Sequence, residues 1–397
     1  MSSVTNQAIP SDSEESTSSN GDMLLPRLNP KDNNNALFLE GDDITWRNPF
    51  GLNLKNYGFD TAHGIPPNDL ENLIDKRKLE LFRIFLDDEL IDLMVREANR
   101  YAEQVIIEKI NDESITCNSR LNDWVETNAI EMHVFLGVLL WVGLDKKPWL
   151  SHYWSHSELY NSLVCKFMSR KRFEILLRNN ADNTTCPPED RLHKVQSLIS
   201  YLVSKYQKFY ISSENVCTDE TMVPFRGRLK FRQYIKEKRH KSDIKIFKLC
   251  VNGAYTYNMK IYCGKESENF VVSVADKLVL GLMNNLLDSG RILFTDNWNT
   301  SVGLARKLAT RGTLLVGTLR INRKCNPKNV ITASLNRGQI FGIESDDGIA
   351  VLKWKNKRDV LILSTKQCIE TTNIGQHQKP VSIIDYNSTK SFIDVSD

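Results

Sequence analysis

No CxxC pair occurs in this 397-residue sequence; its eight cysteines, Cys117, Cys165, Cys186, Cys217, Cys250, Cys263, Cys325 and Cys368, stand singly. That spacing excludes a zinc module or dithiol redox motif and reads as reduced thiols. Long apolar runs are also missing. The longest, Val134 to Leu144 within MHVFLGVLLWVGL, falls far short of the roughly 20 residues that span a bilayer and predicts a buried helix. The N-terminus carries no basic stretch followed by an apolar one, so a secretory signal is excluded and an intracellular location is expected. P-loop, HExxH and GxSxG motifs are absent, which leaves ATPase, zinc-protease and serine-hydrolase readings without support and implies no nucleotide cofactor. Internal repeats are absent too.

Residues 1–45, which include SDSEESTSSNGD and NPKDNNN, have few aromatics and bury too little apolar surface to order themselves, so a disordered acidic and polar tail is expected. Residues 46–77 place aromatic anchors among turn residues and read as an extended arm. The whole chain is 41% hydrophobic, enough for a large core divided into two or three units. Its net charge of +3 conceals a local asymmetry: Arg226 to Lys248 holds ten Lys or Arg against Glu237 and Asp243.

Helical periodicity governs residues 78–210, the expected α-helical N-terminal domain. Leu90, Met94, Ala98, Ala102 and Val105 recur at three- and four-residue spacings after the start signal Asp87-Asp88-Glu89. Asn128 with Glu131 is an Asn variant of the capping box for a helix reaching Leu144. Ser169 precedes a third helix through Phe173, Leu176 and Leu177, and Val195 to Tyr206 forms a fourth. Near residue 214 the pattern changes. Strands are predicted over Glu214 to Thr221, Asp243 to Cys250, Met259 to Cys263, Ile292 to Phe294 and from Leu314. Helices over Leu278 to Leu287 and Val302 to Leu308 separate the later ones, which makes 291–319 a parallel strand-helix-strand unit. Short β runs without a helix fill 325–380, read as a β insertion, and 381–397 reads as the entry to a further helix.

Asp219 closes a predicted strand and Asp296 directly follows another. Carboxylates at strand C-termini converge at one sheet edge, where they can share a hard divalent cation. Each alone is more often a turn former or helix cap. The words around them are more specific. TDETMVPFRGRLKFRQYIKEKRHK and FTDNWNTSVGLARKL resemble the blocks that contain the first two catalytic aspartates of the piggyBac transposase family. FLDDELIDLMVREANRYAEQ, FLGVLLWVGLDKKPWLSHYWS, FMSRKRFEILLRN and RLHKVQSLISYL are similar to its N-terminal helical blocks, so the resemblance runs from about residue 78 to the end.

This resemblance implies an α/β fold: an RNase H-like mixed-sheet catalytic core (211–324) with a β-rich insertion, preceded by an α-helical domain and a disordered N-terminal tail. It implies a DDD transposase in which Asp219, Asp296 and Asp394, with Asp397 beside them, hold two Mg²⁺ ions, Mn²⁺ being able to substitute. Two ions about 3.5–4 Å apart stabilise both the attacking and leaving oxygens at a phosphodiester. DNA is the implied partner: terminal repeats are cleaved, a hairpin is formed and the end is joined at TTAA, in a nuclear protein that acts as a homodimer.

Arg226, Arg228, Lys230, Arg232, Lys236, Lys238, Arg239 and Lys241 follow Asp219 closely, interleaved with Phe225, Phe231 and Tyr234. They are candidate phosphate contacts, with a solvated hairpin face or a nuclear-import signal as the alternatives. His152 and His156 lack a third ligand and read as packing residues; Trp298 reads as a core anchor.

Ser391-Phe392 stands where the family has a glycine pair, Asp243 where it has a glycine, and the chain stops at Asp397. These departures predict a frayed Asp394 and Asp397 and an impaired activity. A non-catalytic DNA-binding or interaction protein derived from a transposase, or an inert remnant, are the other readings.

Overall fold

A computed structural model describes residues 44–48, 57–73, 76–114, 116, 119–178, 191–225, 227, 229, 231–234, 242–264, 273–367, 369–374 and 377–397. The expected tail, apart from Ile44 and Thr45, lies outside them. After the two-residue strand β1 (Trp46–Arg47) come helices α1 (Pro67–Leu73), α2 (Lys78–Phe85), α3 (Asp88–Asn111), α4 (Ala129–Leu144), α5 (Arg170–Arg178) and α6 (His193–Phe209). Their starts follow the capping chemistry: Asp87 accepts from the Leu90 amide, and Asn128 accepts from the Glu131 amide at 3.0 Å. The second arm of the expected capping box does not form, because Glu131 is engaged elsewhere. Its carboxylate takes both arms of Arg172 on α5, at 2.7 and 2.6 Å, and the Thr127 hydroxyl at 2.7 Å. Ile91, Ala98, Met132, Phe135, Phe173 and Leu176 form the core between these helices. No helix among the described residues is long and apolar enough to cross a membrane.

Beyond α6 the chain builds a sheet from β2 (Asn215–Pro224), β3 (Gln233–Tyr234), β4 (Ser242–Val251), β5 (Tyr255–Ile261), β6 (Ile292–Thr295), β7 (Leu314–Thr318), β8 (Ile340–Ser345), β9 (Ala350–Lys355) and β10 (Asp359–Ser364). Its central order is β5-β4-β2-β6-β7, with β2, β4 and β5 antiparallel and with β6 and β7 added parallel to β2. That is the mixed arrangement expected of an RNase H-like core. Helix α7 (Val274–Met283) leads into β6, and α8 (Val302–Ala309) joins β6 to β7. Alternate residues of the central strands feed opposite faces. Leu293 and Leu315 pack with the α7 and α8 side, while Ile292, Phe294 and Val316 face the other cluster.

The segment read as a β insertion continues this sheet: β10 pairs antiparallel with β7, then β9, β8 and β1 follow. A bare β7 edge would leave a row of unpaired backbone groups, which β10 satisfies. Ile362 and Leu363 are both fully buried, as expected where both faces of a strand are covered. The segment also contains a short helix, α9 (Lys328–Thr332), too brief to leave a periodic signature.

After the hairpin β11 (Thr371–Ile374) and β12 (His377–Pro380), helices α10 (Val381–Thr389) and α11 (Ser391–Ser396) cover the second face. The expected fraying of the 391–397 segment is not what the structure has. Ile393 is 2% exposed, Phe392 packs on the same cluster, and the Thr221 hydroxyl donates to Asp397 at 2.6 Å. Burial of these apolar side chains against β2 offsets the ordering cost. On the other margin, Gly290 has φ +71° and a Cβ there would sit 2.2 Å from the Gly58 carbonyl oxygen. Only glycine permits residues 57–59 to lie so close to the turn before β6.

Candidate metal centre

Parallel pairing of β2 with β6 ends at Thr218 opposite Thr295, so the next residue of each chain segment, Asp219 and Asp296, emerges from neighbouring strands. The sheet brings them together, although Asp219 lies midway along β2, paired with Lys248 of β4, and not at a strand end as expected. One carboxylate oxygen from each, with one from Glu220, lie within 4.8 Å of one another. Glu220 is not singled out by the sequence, because strict alternation sends adjacent strand residues to opposite faces. The signal available was its place directly after Asp219, where the support of β6 stops.

The turn after β6 immobilises Asp296. Its carboxylate accepts from the backbone amides of Trp298 and Asn299 at 3.0 and 3.1 Å and from Asn299 Nδ2 at 3.0 Å. Asn299 and Thr300 are fully buried, and a Cβ at Gly317 on β7 would meet Thr300 Oγ1 at 2.2 Å. Asp219 accepts from the Glu220 amide at 2.7 Å. Burial raises the Asp219 carboxyl to about 7; the Glu220 amide opposes this, and the charges of Asp296 and Glu220 add to it. Asp296 is raised as well, again chiefly by burial. Carboxylates crowded in this way hold their charge poorly without a cation. An all-oxygen donor set fits a hard divalent ion such as Mg²⁺ or Mn²⁺, and Glu220 Oε2 is buried with no hydrogen-bond partner.

Asp394 lies exposed on α11 and is outside the carboxylate group found among the described residues. Asp397 is held by Thr221 and by Lys248 Nζ at 2.8 Å. Of the basic candidates, Arg232 is exposed and donates to the Gly227 carbonyl at 3.2 Å. Arg226, Arg228, Lys230, Lys236, Lys238, Arg239 and Lys241 lie outside the described residues. Asp243 is 2% exposed within β4, opposite Pro224 and Gln233. Trp298 is partly buried and stacks on Phe247 at 5.3 Å. His152 stacks on Tyr160 at 3.8 Å.

Comparison with known proteins adds the family. Residues 78–397 match a family model described as Transposase IS4. The human PiggyBac transposable element-derived protein 3 is 28% identical over 311 residues, covering 76% of this chain and 50% of that protein. Human PiggyBac transposable element-derived protein 2 is 24% identical over 323 residues, covering 74% and 49%. The chain thus spans about half the length of these curated relatives. Among solved structures, the piggyBac transposase synaptic complex with hairpin DNA superposes with a TM-score of 0.70 at 26% identity, covering 84% of this chain and 70% of that one.

Proposed function

The chain belongs to the Transposase IS4 family, among piggyBac-like, transposase-derived proteins, and on that footing we propose that it performs divalent-cation-dependent phosphoryl transfer on DNA. The observation that carries this reading is the convergence of Asp219 and Asp296 where the parallel pairing of β2 with β6 stops. In it, Asp219 and Asp296 bind the cation, Mg²⁺ with Mn²⁺ as a substitute. When bound, such ions lower the cost of charge developing on the attacking and leaving oxygens of a phosphodiester. The remaining work belongs to the chain. The Trp298 and Asn299 amides keep the Asp296 carboxylate aimed, so that little reorganisation is needed at the moment of reaction. Asp219 would hold the cation as its carboxylate, the proton passing to solvent.

Phosphoryl transfer of this kind is an in-line displacement, with water or a 3′ hydroxyl as nucleophile. Repeated at one site, it accounts for end cleavage, hairpin formation and joining at TTAA, the finer form of this reading. The basic residues from Arg226 to Lys241 are the proposed phosphate contacts. Nuclear location and pairing of two copies belong to the same proposal.

The test is nicking of DNA that ends in the element's terminal repeats. Mg²⁺ or Mn²⁺ is expected to support it, and Asp219→Ala or Asp296→Ala to reduce it by about a hundredfold to a thousandfold, the scale of losing an electrostatic catalytic group. A second reading, DNA binding without cleavage, is favoured by the exposure of Asp394 outside the carboxylate group. Salt-sensitive, cation-independent binding with no nicking would select it.

A further inference from the structure

We propose that Thr300 is a positioning residue for the cation site, its buried hydroxyl locking the turn that aims the Asp296 carboxylate; the inference rests on the cation reading above. Strand β6 ends at Thr295, so Asp296 is the first residue past its ladder. What holds its main chain is the residue four positions on. The Asp296 carbonyl accepts twice from Thr300, from its amide at 3.0 Å and from its hydroxyl at 2.6 Å. With its one proton given to that carbonyl, Thr300 Oγ1 is left to accept from the Thr295 hydroxyl at 2.7 Å. The last residue of β6 is thereby tied to the far end of the turn, and the turn closes around Asp296. Both threonines are fully buried, where a lost hydrogen bond leaves a polar atom with no water to replace it.

Room for this hydroxyl pair is made by β7. Gly317 lies opposite Thr295 in the parallel ladder. A Cβ there would stand 2.6 Å from Thr295 Oγ1 and closer still to Thr300 Oγ1, well inside van der Waals contact. A turn pinned at both ends presents the Trp298 and Asn299 amides to the carboxylate at 3.0 and 3.1 Å. Without the Thr300 hydroxyl, the Asp296 carbonyl keeps one of its two donors from that residue, and the turn is free to open and carry the carboxylate away from Asp219. Ligand distances at a metal are held to about 0.2 Å. A group that never touches the cation can therefore set its affinity.

Mn²⁺ is the probe, with free and bound ion counted by electron paramagnetic resonance during titration of the full chain. Thr300→Val keeps the shape and removes the hydroxyl, and is expected to weaken binding by about tenfold, the lower end for groups that act behind a ligand. Thr300→Ser keeps the hydroxyl and should bind as the unsubstituted chain does. Ile91→Ala, in the helical core, is the control: it lowers the melting temperature and should leave Mn²⁺ affinity unmoved. A threonine that only seats α8 would behave like that control, melting earlier as Thr300→Val yet binding Mn²⁺ normally, and that result overturns the proposal. So does a Thr300→Ser chain that binds as weakly as Thr300→Val, since the hydroxyl would then not be the group that matters. If Thr300→Val fails to fold, Thr295→Val takes its place, at a strand position that suits valine; it too is expected to weaken binding, and unchanged affinity would again overturn the proposal. Absence of Mn²⁺ binding by the unsubstituted chain, or binding unmoved by Asp219→Asn, would instead bring down the underlying cation reading.

Discussion

Asp219 illustrates how much a single side chain owes to its surroundings. In solution its carboxyl would ionise near 3.8; buried beside two other carboxylates, it is pushed up to about 7. A cation must therefore displace a proton below that value. Mn²⁺ affinity is expected to climb as pH rises through about 7 and to level off above it, measured by titration at fixed ionic strength. The sign for stability is opposite. A raised carboxyl binds more protons in the folded chain, so its contribution to cation-free stability is complete below pH 3.8 and is lost as pH rises through about 7. Melting of the cation-free chain across that range checks it, and added Mn²⁺ should remove the loss. A featureless affinity profile on both sides of pH 7 would count against any shared site at Asp219.

At the scale of elements, two ties decide how helices are held. The Arg172–Glu131 pair joins α5 to α4, with the guanidinium also 5.0 Å from the Trp124 ring centre. Hydrogen bonding from Arg172, opposed by burial and assisted by Thr127, lowers Glu131 from its ordinary 4.5. Stability from this pair is thus present above pH 4.5 and lost as pH falls through the lowered value. Arg172→Met should cost about 1.5–3 kcal/mol in neutral solution, the range for hydrogen bonds to charged groups, and the difference from the unsubstituted chain should vanish in acid. Chemical denaturation at two pH values measures both. The second tie is the 2%-exposed Ile393, which seats α11 on the sheet. Ile393→Ala is expected to cost about 2–5 kcal/mol. If α11 were loosely attached, that substitution would leave the melting temperature unchanged.

For the whole molecule, the proposed action on DNA makes the basic stretch from Arg226 to Lys241, which follows Asp219 in the sequence, the candidate for phosphate contact. DNA affinity should fall with salt, and Lys238→Glu with Arg239→Glu should flatten the log–log slope by about 0.9 for each phosphate no longer neutralised. A slope unaltered by that double charge reversal would place the DNA-binding surface elsewhere.

Local signals in the chain were enough for the helix starts at Asp87 and Asn128, the parallel unit around α8 and the neighbouring positions of Asp219 and Asp296. Each of these follows from local capping chemistry, periodicity or strand order. The packed fold was needed to extend the main sheet by β8–β10, to dock α11 and to set Glu220 beside Asp219 and Asp296. Those outcomes depend on which edge is left unpaired, which face is left uncovered and where a neighbouring strand stops. They are properties of surfaces that exist once distant segments have packed, and no local run of residues encodes them.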